Sequence, residues 1–389
     1  MGRKYAVVGA GRQGVAAAYD LARFGEADEV LLLDIDRVTA EAAAIKVNGL
    51  VQRPVARAML ADVGSADRMV PLLRGASALV SAAPYQFNLA LTEAAVRAGA
   101  SMCDLGGNTD IVRRQLRLHE TAKAAGIAVV PDCGMGPGMN ISLAVHAMGL
   151  LDEPNEVFIW DGGLPQVPEP PWNYALTFNI GGLTNEYSGN AYFLRNGKVT
   201  EVPCFEGYEL LDFPEPIGRL EAFVTSGGLS TAPWTFEGKL ESLENKTLRY
   251  PGHWAQFRAY AQLGLLGTEK VKVGSAEVSP RDVLHALLEP KIRRDGVRDL
   301  GIIRTKAVGM KDGRRAEAVV ELVDRYDDKT GFTAMQRLTG WHASIVAILA
   351  ARGGIPRGAH PVELAVPGKV IVEEARRRGF EIEERVSFD

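Results

Sequence analysis

Apolar and polar positions follow two different rhythms along this chain. In the first third, short, mainly apolar runs recur at residues 5–8, 30–33, 78–82, 101–105 and 127–130, with a short extended segment at 55–60. Between them, apolar residues return at helical spacing, as in Ala16, Ala17, Ala18, Leu21 and Ala22. Runs without polar alternation suit strands buried on both faces, and strands alternating with helices predict a parallel sheet. From about Val157 the rhythm changes to short extended segments broken by Gly and Pro, at 191–194, 198–202, 222–226 and 271–273. Helical stretches at 253–263 and 280–287 interrupt them, and 301–309 and 316–326 read as a hairpin around Lys311-Asp312-Gly313. The expected fold class is therefore α/β: an N-terminal Rossmann domain with a doubly wound parallel sheet, then an α+β domain with a mainly antiparallel sheet. The expected boundaries are 1–135 for the dinucleotide domain and 136–334 for a substrate-binding and oligomerisation domain. C-terminal helices within 335–389, apolar at Met335, Leu338, Trp341, Ile345, Ile348 and Leu349, are expected to pack back on the first domain.

Composition narrows the function classes. At 389 residues the chain suits two domains, and 47% hydrophobic with 24% charged residues is the balance of a soluble globular protein. A formal charge of −4 gives no electrostatic reason to expect nucleic acid or an anionic membrane as partner. The expectation is a cytoplasmic protein: no signal-peptide pattern is visible, and no apolar run is long enough to span a bilayer. Cys103, Cys133 and Cys204 are odd in number and lack metal-type spacing, which argues against a disulfide framework and against a zinc site. Broad uncovered sheet surface in the second domain leads to an expected homo-oligomer, a dimer first.

The chemistry begins at Gly9-x-Gly11-x-x-Gly14, which follows the first apolar run and opens the first helical stretch, with Asp34 twenty residues beyond Gly14. In a dinucleotide site the first glycine makes the turn, the second admits the pyrophosphate, and the third lets helix and strand touch. Arg12 and Gln13 lie inside this turn, where the helix N-terminus offers N–H groups to phosphate. Asp34 is placed to accept the ribose hydroxyls and to repel a 2′-phosphate, which favours NAD over NADP; Arg37 just beyond it pulls the other way. Asp62 and Val63, at the end of the third run, fit an adenine pocket, with helix capping by Asp62 or Ser65 the alternative. Ala82, Ala83, Pro84 and Tyr85 end the fourth run and are expected on the nicotinamide side.

Asp104 and Asp132 both end strands and are followed by glycines, Gly106 among them. Open parallel sheets bind ligands at such ends, so the pair suggests a polar crevice, with helix capping as the alternative. In the second domain His253 is the titrating candidate, weighed against a hydrogen-bonded structural histidine. Arg249 suits a substrate carboxylate or a structural ion pair, Glu221 an α-ammonium, and Tyr174 a substrate contact. Cys133 has no base near it in sequence and reads as packing or cofactor contact.

Taken together, GAGRQG (9–14), AAPYQFN (82–88), CDLGGN (103–108), PDCGMGPGMN (131–140), GGLPQVPEPPWNY (162–174), LEAFVTSGGLST (220–231) and LRYPGH (248–253) resemble the saccharopine dehydrogenase-like family. Within it the lysine 6-dehydrogenase branch is the most similar. The resemblance implies oxidation at the C–N bond of an amino acid. For that branch it implies NAD-dependent deamination of the ε-carbon of L-lysine, giving allysine, its cyclic form Δ1-piperideine-6-carboxylate, and ammonia. Asp104, Asp132 and His253 then become candidates for proton transfer, and Tyr174, Glu221 and Arg249 for substrate binding. Two other readings stand beside it. One is reductive joining of an amine and an aldehyde, as in saccharopine or carboxynorspermidine dehydrogenases, which needs more cations than Lys246 and Arg249 supply. The other is a nucleotide-binding protein without catalysis.

Overall fold

The structure, a computed structural model, describes residues 2–389. They divide into two compact units. The first comprises residues up to Gly149, Ser230–Thr235 and Gln336–Phe380; the second comprises Leu150–Leu229, Phe236–Met335 and Glu381–Asp389.

In the first unit the apolar runs become β1 (Arg3–Val8), β2 (Ala27–Asp34), β3 (Ala56–Leu60), β4 (Ala78–Ser81), β5 (Ser101–Asp104) and β6 (Ala128–Val130). They pair in parallel in the order β6-β5-β4-β1-β2-β3, with the two-residue strand Gly358–Ala359 added beyond β6. The order reverses beside β1, where a doubly wound sheet opens its ligand crevice. Burial explains the absence of alternation: Tyr5, Ala6, Val7 and Val8 are all at 0% exposure, so neither face of β1 meets water.

The glycine turn is dictated by contact. Gly9 has φ +88°, and a Cβ there would sit 2.7 Å from the Ala82 carbonyl oxygen. A Cβ on Gly14 would lie 1.8 Å from the Gly9 carbonyl oxygen, so the helix Arg12–Phe24 can start here only without a side chain at that position. The same helix receives the long helix Ala334–Ala351 through Gly340, whose added Cβ would lie 2.8 Å from the Gln13 carbonyl oxygen and 2.9 Å from the Ala17 nitrogen. Its far side is clamped by ions. Arg378 Nε donates to both oxygens of Asp20 at 2.8 and 2.9 Å, with both side chains at 0% exposure, and Ser344 donates to Asp20 at 2.5 Å.

The second unit is built on a nine-stranded mixed sheet of β7 (Glu153–Pro165), β8 (Asn190–Arg195), β9 (Lys198–Pro203), β10 (Glu209–Asp212), β11 (Arg219–Phe223), β12 (Ser242–Arg249), the hairpin strands Asp299–Lys311 and Arg314–Arg325, and Ile382–Phe388. All its pairings are antiparallel except β12 with β7. Asp312 and Gly313 turn the hairpin, both at positive φ.

Several boundaries differ from the sequence reading. Residues 136–149 lie in the first unit, where Met139–Met148 forms a helix. Between β5 and β6 the chain forms two short helices, Thr109–Leu116 and His119–Ala124. The last residues extend the second sheet as a strand, because Ile382 pairs opposite Leu322 at its buried edge. Among the described residues no helix is long and apolar enough to cross a membrane.

Removing one partner of a buried ion pair costs about 3–5 kcal/mol, because the other charge stays buried alone. Asp20→Ala leaves Arg378 with Glu374 as its remaining carboxylate partner, so the unfolding free energy is expected to fall by about 3 kcal/mol, the lower end of that range. Guanidinium titration measures it, and a loss under about 1 kcal/mol would contradict the clamp.

Candidate active site

The first unit gathers its candidates at the carboxyl ends of β1, β2, β4, β5 and β6. At the glycine turn the helix Arg12–Phe24 has Gly11 as N-cap, and no side chain caps it. Its backbone ladder begins with the Val15 N–H, which donates to the Gly11 carbonyl at 3.0 Å, and the N–H groups ahead of it are the end donors that an α-helix does not pair within itself. A Cβ built on Gly11 meets nothing within 4 Å, so the backbone is open to a ligand on that side. Gly9 and Gly14 are closed by protein and Gly11 is not, which is the arrangement a pyrophosphate requires.

Asp34 is held by the turn it serves. Its Oδ2 accepts from the Ala10 N–H at 2.7 Å, and its Oδ1 accepts from Asp36 at 2.9 Å. Its remaining lone pairs face outward beside Ile35, which is 75% exposed. Arg37 leans along its own helix to Glu41, 2.6 Å away, rather than toward Asp34. Asp62 accepts from the Gly64 N–H at 2.9 Å and from Arg68 at 2.8 Å, which makes it a local turn residue, not a helix cap. Val63 is half-buried against the core around Met69 and Leu79. Ala82 donates to the Val8 carbonyl at 2.7 Å, and Pro84 leads into a short 3₁₀ turn at Tyr85–Phe87. Tyr85 is 39% exposed and lies over Gly107, where an added Cβ would touch its ring at 3.2 Å.

Asp104 and Asp132 meet, but their environments separate them. Asp104 is fully buried and accepts from Gln115 Nε2 at 2.7 Å, the Gly106 N–H at 2.8 Å and the Asp132 N–H at 3.3 Å. It fastens the loops after β5 and β6 together. The next helix is capped instead by Asn108, which accepts from Ile111. Burial raises the Asp104 carboxyl, and its three donors offset part of that. Asp132 is 1% exposed, and neither of its oxygens has a hydrogen-bond partner among the described residues. Its backbone is left-handed at φ +64°, a conformation that costs energy outside glycine. Burial first, and then the Asp104 charge, push its carboxyl well above the usual range, with Glu363 adding to the rise and Ser230 partly opposing it. Cys133 is fully buried and its thiol is pushed up by burial, so it is not a reactive thiolate.

The second unit gathers the other candidates on β12 and the helix His253–Gln262. Arg249, 3% exposed, donates from Nε to Tyr187 Oη at 3.1 Å and from Nη1 to the Leu248 carbonyl at 2.9 Å, and Nη2 meets Glu186 at 3.4 Å. Its guanidinium carbon lies 5.3 Å from the centre of the Tyr174 ring. His253 is 1% exposed, with Nε2 2.8 Å from Tyr187 Oη and its ring stacked on Phe257 at 4.1 Å. Burial, and then the Arg249 charge, hold the imidazole well below its ordinary pKa. Glu221 caps the helix, accepting from the Gly252 N–H at 3.1 Å and from the Trp254 N–H. Lys246 projects from the opposite face of β12 to Glu209, 2.8 Å away, which separates it from Arg249.

Tyr187 and Glu186 escaped the sequence reading. They end a short helix, Ile180–Glu186, in a stretch with two glycines and no marked periodicity. Glu186 is pushed up to about 7, chiefly by burial, with Arg249 pulling it back and Asp161 pushing it further.

Two family models match the chain. Residues 5–130 match the saccharopine dehydrogenase NADP binding domain, and residues 134–379 match the saccharopine dehydrogenase C-terminal domain. The chain is 23% identical to an L-glutamate-forming, NADP(+) saccharopine dehydrogenase of Pyricularia oryzae, over 79% of this chain and 84% of that protein. It is also 23% identical to a carboxynorspermidine synthase of Vibrio alginolyticus, over 68% of this chain and 66% of the relative. The mitochondrial alpha-aminoadipic semialdehyde synthase of Mus musculus matches at 23% over 55% of this chain, which there spans only 24% of the relative's length. In fold, the apo saccharopine dehydrogenase (L-Glu forming) of Saccharomyces cerevisiae superposes with a TM-score of 0.79 at 17% identity, covering 99% of this chain and 100% of that one. The chain belongs to the saccharopine dehydrogenase family, with that family's nicotinamide-dinucleotide and C-terminal domains.

Proposed function

We propose that this protein is an NAD-dependent amino-acid dehydrogenase that oxidises the ε-carbon of L-lysine, releasing ammonia and the semialdehyde. The observation that carries the reading is Asp132, a buried carboxyl with both oxygens unpartnered at the carboxyl end of a parallel sheet. Such a group suits a cationic amine. Within the second unit taken by itself, the buried polar cluster around Tyr187 holds one cation, Arg249, since Lys246 is turned away to Glu209. One cation matches one α-carboxylate and falls short of the several carboxylates of a larger adduct.

NAD, when bound, supplies the hydride acceptor. The N–H groups after Gly11 hold the pyrophosphate, and Asp34 accepts the ribose hydroxyls, with no cation beside it committed to a 2′-phosphate. Ile35 offers an apolar wall to the adenine. Tyr85, Ala82 and Ala83 wall the nicotinamide side. Asp132 takes a proton from the ε-ammonium at a carboxylate oxygen, so that the neutral amine can expel hydride from its carbon. Its raised pKa serves this exchange, because a carboxyl of ordinary acidity would return the proton at once. Asp104 keeps Asp132 in place by holding its backbone. Water addition to the resulting iminium and loss of ammonia then give the aldehyde. A second reading, reductive joining of an amine to an aldehyde, draws support from the names of the relatives in Pyricularia and Vibrio.

The direct test is absorbance at 340 nm with L-lysine and NAD at alkaline pH. NADH and ammonia are expected one-to-one, with NAD favoured over NADP by about tenfold or more in kcat/KM, the effect of about 1.4 kcal/mol. Oxidation of NADPH by an amino acid and an aldehyde supplied together, with no lysine turnover, would establish the second reading instead.

Asp132→Asn is expected to lower kcat by about 10²–10⁴-fold. Its effect on stability has the opposite sign. Because the folded state raises the Asp132 pKa, the native protein binds more protons than the unfolded chain as pH rises past the ordinary aspartate value of 3.8. The wild type therefore loses stability as pH rises from that value toward the folded pKa, and the variant does not. The Tm of Asp132→Asn should exceed the wild-type Tm at pH 8 and approach it near pH 4; a variant less stable at pH 8 would show that the carboxylate is paired.

The proposal includes a homodimer. One face of the second sheet presents half-buried Phe158 and Trp160 beside Lys246, Lys306, Glu209 and Glu244 around a cavity of about 220 Å³. Light scattering should return twice the 41.9 kDa chain mass. A monomer at micromolar concentration would remove this part of the reading.

A further inference from the structure

The buried polar cluster of the second unit has a direction, set by which groups can donate. A guanidinium has no acceptor, so the contact of Arg249 Nε with Tyr187 Oη at 3.1 Å runs from arginine to tyrosine. Tyr187 is surrounded by the rings of Phe205, Phe223 and Phe257, with centroids 5.6, 6.1 and 4.8 Å away. The acceptor within reach of its phenolic proton is His253 Nε2 at 2.8 Å. Burial also pushes this phenol up to about 12, which keeps the proton on it. Tyr187 therefore donates and Nε2 accepts. A neutral imidazole has one proton, and with Nε2 accepting, that proton stands on Nδ1. The ring stays neutral because it is packed against Phe257 and Tyr174 and lies near the Arg249 charge.

The chain thus ends in a donor without an acceptor. Nδ1 is buried and has no hydrogen-bond partner among the described residues. A buried donor left in this way costs about 1–3 kcal/mol, which a ligand oxygen would recover. A second such donor lies in the same unit: Asn245 Nδ2 is buried and unpartnered, on a residue at the same face of β12 as Arg249. Both of these groups are donors, while Gln256 Oε1, one turn along the His253 helix, is a buried acceptor without a hydrogen-bond partner among the described residues. A cationic ligand has no use for the two donors, and an anionic oxygen does.

We propose that His253 presents Nδ1–H, locked in that tautomer by the Arg249–Tyr187 chain, to a carboxylate oxygen of the amino-acid substrate. This assignment rests on the reading of the protein as an amino-acid dehydrogenase. It makes His253 a specificity-determining residue for the carboxylate end and not a proton shuttle.

The test uses the full chain labelled with ¹⁵N-histidine. At pH 7 the His253 signals should show a protonated Nδ1 and an unprotonated Nε2, unchanged between about pH 5.5 and 8, where a free imidazole would titrate. Glutarate, a dicarboxylate without an amine, should move the Nδ1–H resonance, and 1,5-diaminopentane should not. Tyr187→Phe should release the lock and populate the Nε2–H tautomer. In turnover, His253→Ala should raise KM for L-lysine by about 10–100-fold with kcat changed little, and His253→Asn, which restores an N–H near Nδ1, should recover part of it. An Nε2–H tautomer or an imidazolium at pH 7, or an Nδ1–H signal indifferent to glutarate, would overturn the assignment. If lysine is not turned over, the functional reading fails separately, and the tautomer and glutarate results still decide the role of His253.

Discussion

The crevice of the first unit depends on one constraint: a carboxylate buried without water must collect donors from wherever the chain can bring them. Asp104 solves this with Gln115 from the following helix and backbone N–H groups from the loops after β5 and β6. Because those donors belong to three different segments, satisfying one side chain fixes the relative position of two strand ends. Asp132 is the consequence. Its backbone donates to Asp104, its φ is left-handed, and its own carboxyl is left without a donor. The two acids share a strand-end position and a chemical type, yet one is structural and the other is open to chemistry. Only the distribution of donors separates them.

The second unit meets the same problem with the opposite charge. Arg249 is buried, so its N–H groups are given to Tyr187, the Leu248 carbonyl and Glu186. Of these only Tyr187 donates onward, to His253 Nε2, and the remaining ring nitrogen has no hydrogen-bond partner among the described residues. Each unit taken by itself leaves buried hydrogen-bonding capacity unmet, at the Asp132 oxygens in the first and at His253 Nδ1 and Asn245 Nδ2 in the second.

Much of the fold was legible in the sequence because its strongest signals are local. The apolar runs of β1, β2 and β4, the glycine turn and Asp34 each express a steric or burial demand met within a few residues. The parallel sheet follows from repeating that unit. β12 was invisible for a physical reason: its inward positions are Asn245, Thr247 and Arg249, polar residues that only a surrounding network makes tolerable inside. The helix ending in Glu186 was missed likewise, since Ile180 and Leu183 are buried by distant neighbours such as Leu284 and Leu288 and not by a local pattern.

For the site the division is sharper. By itself the sequence determined a dinucleotide turn, an acid at the end of β2, and the motif residues worth weighing, because glycine geometry and strand-end position are encoded residue by residue. Only the tertiary structure decided which of those residues are spent. Glu221 is used to cap a helix, Asp62 to close a turn, Arg37 to pair with Glu41, and Lys246 faces away from Arg249. A side chain's chemistry is fixed by its type, but its availability depends on donors, acceptors and burial contributed by segments far away in the chain, and those meet only in the fold.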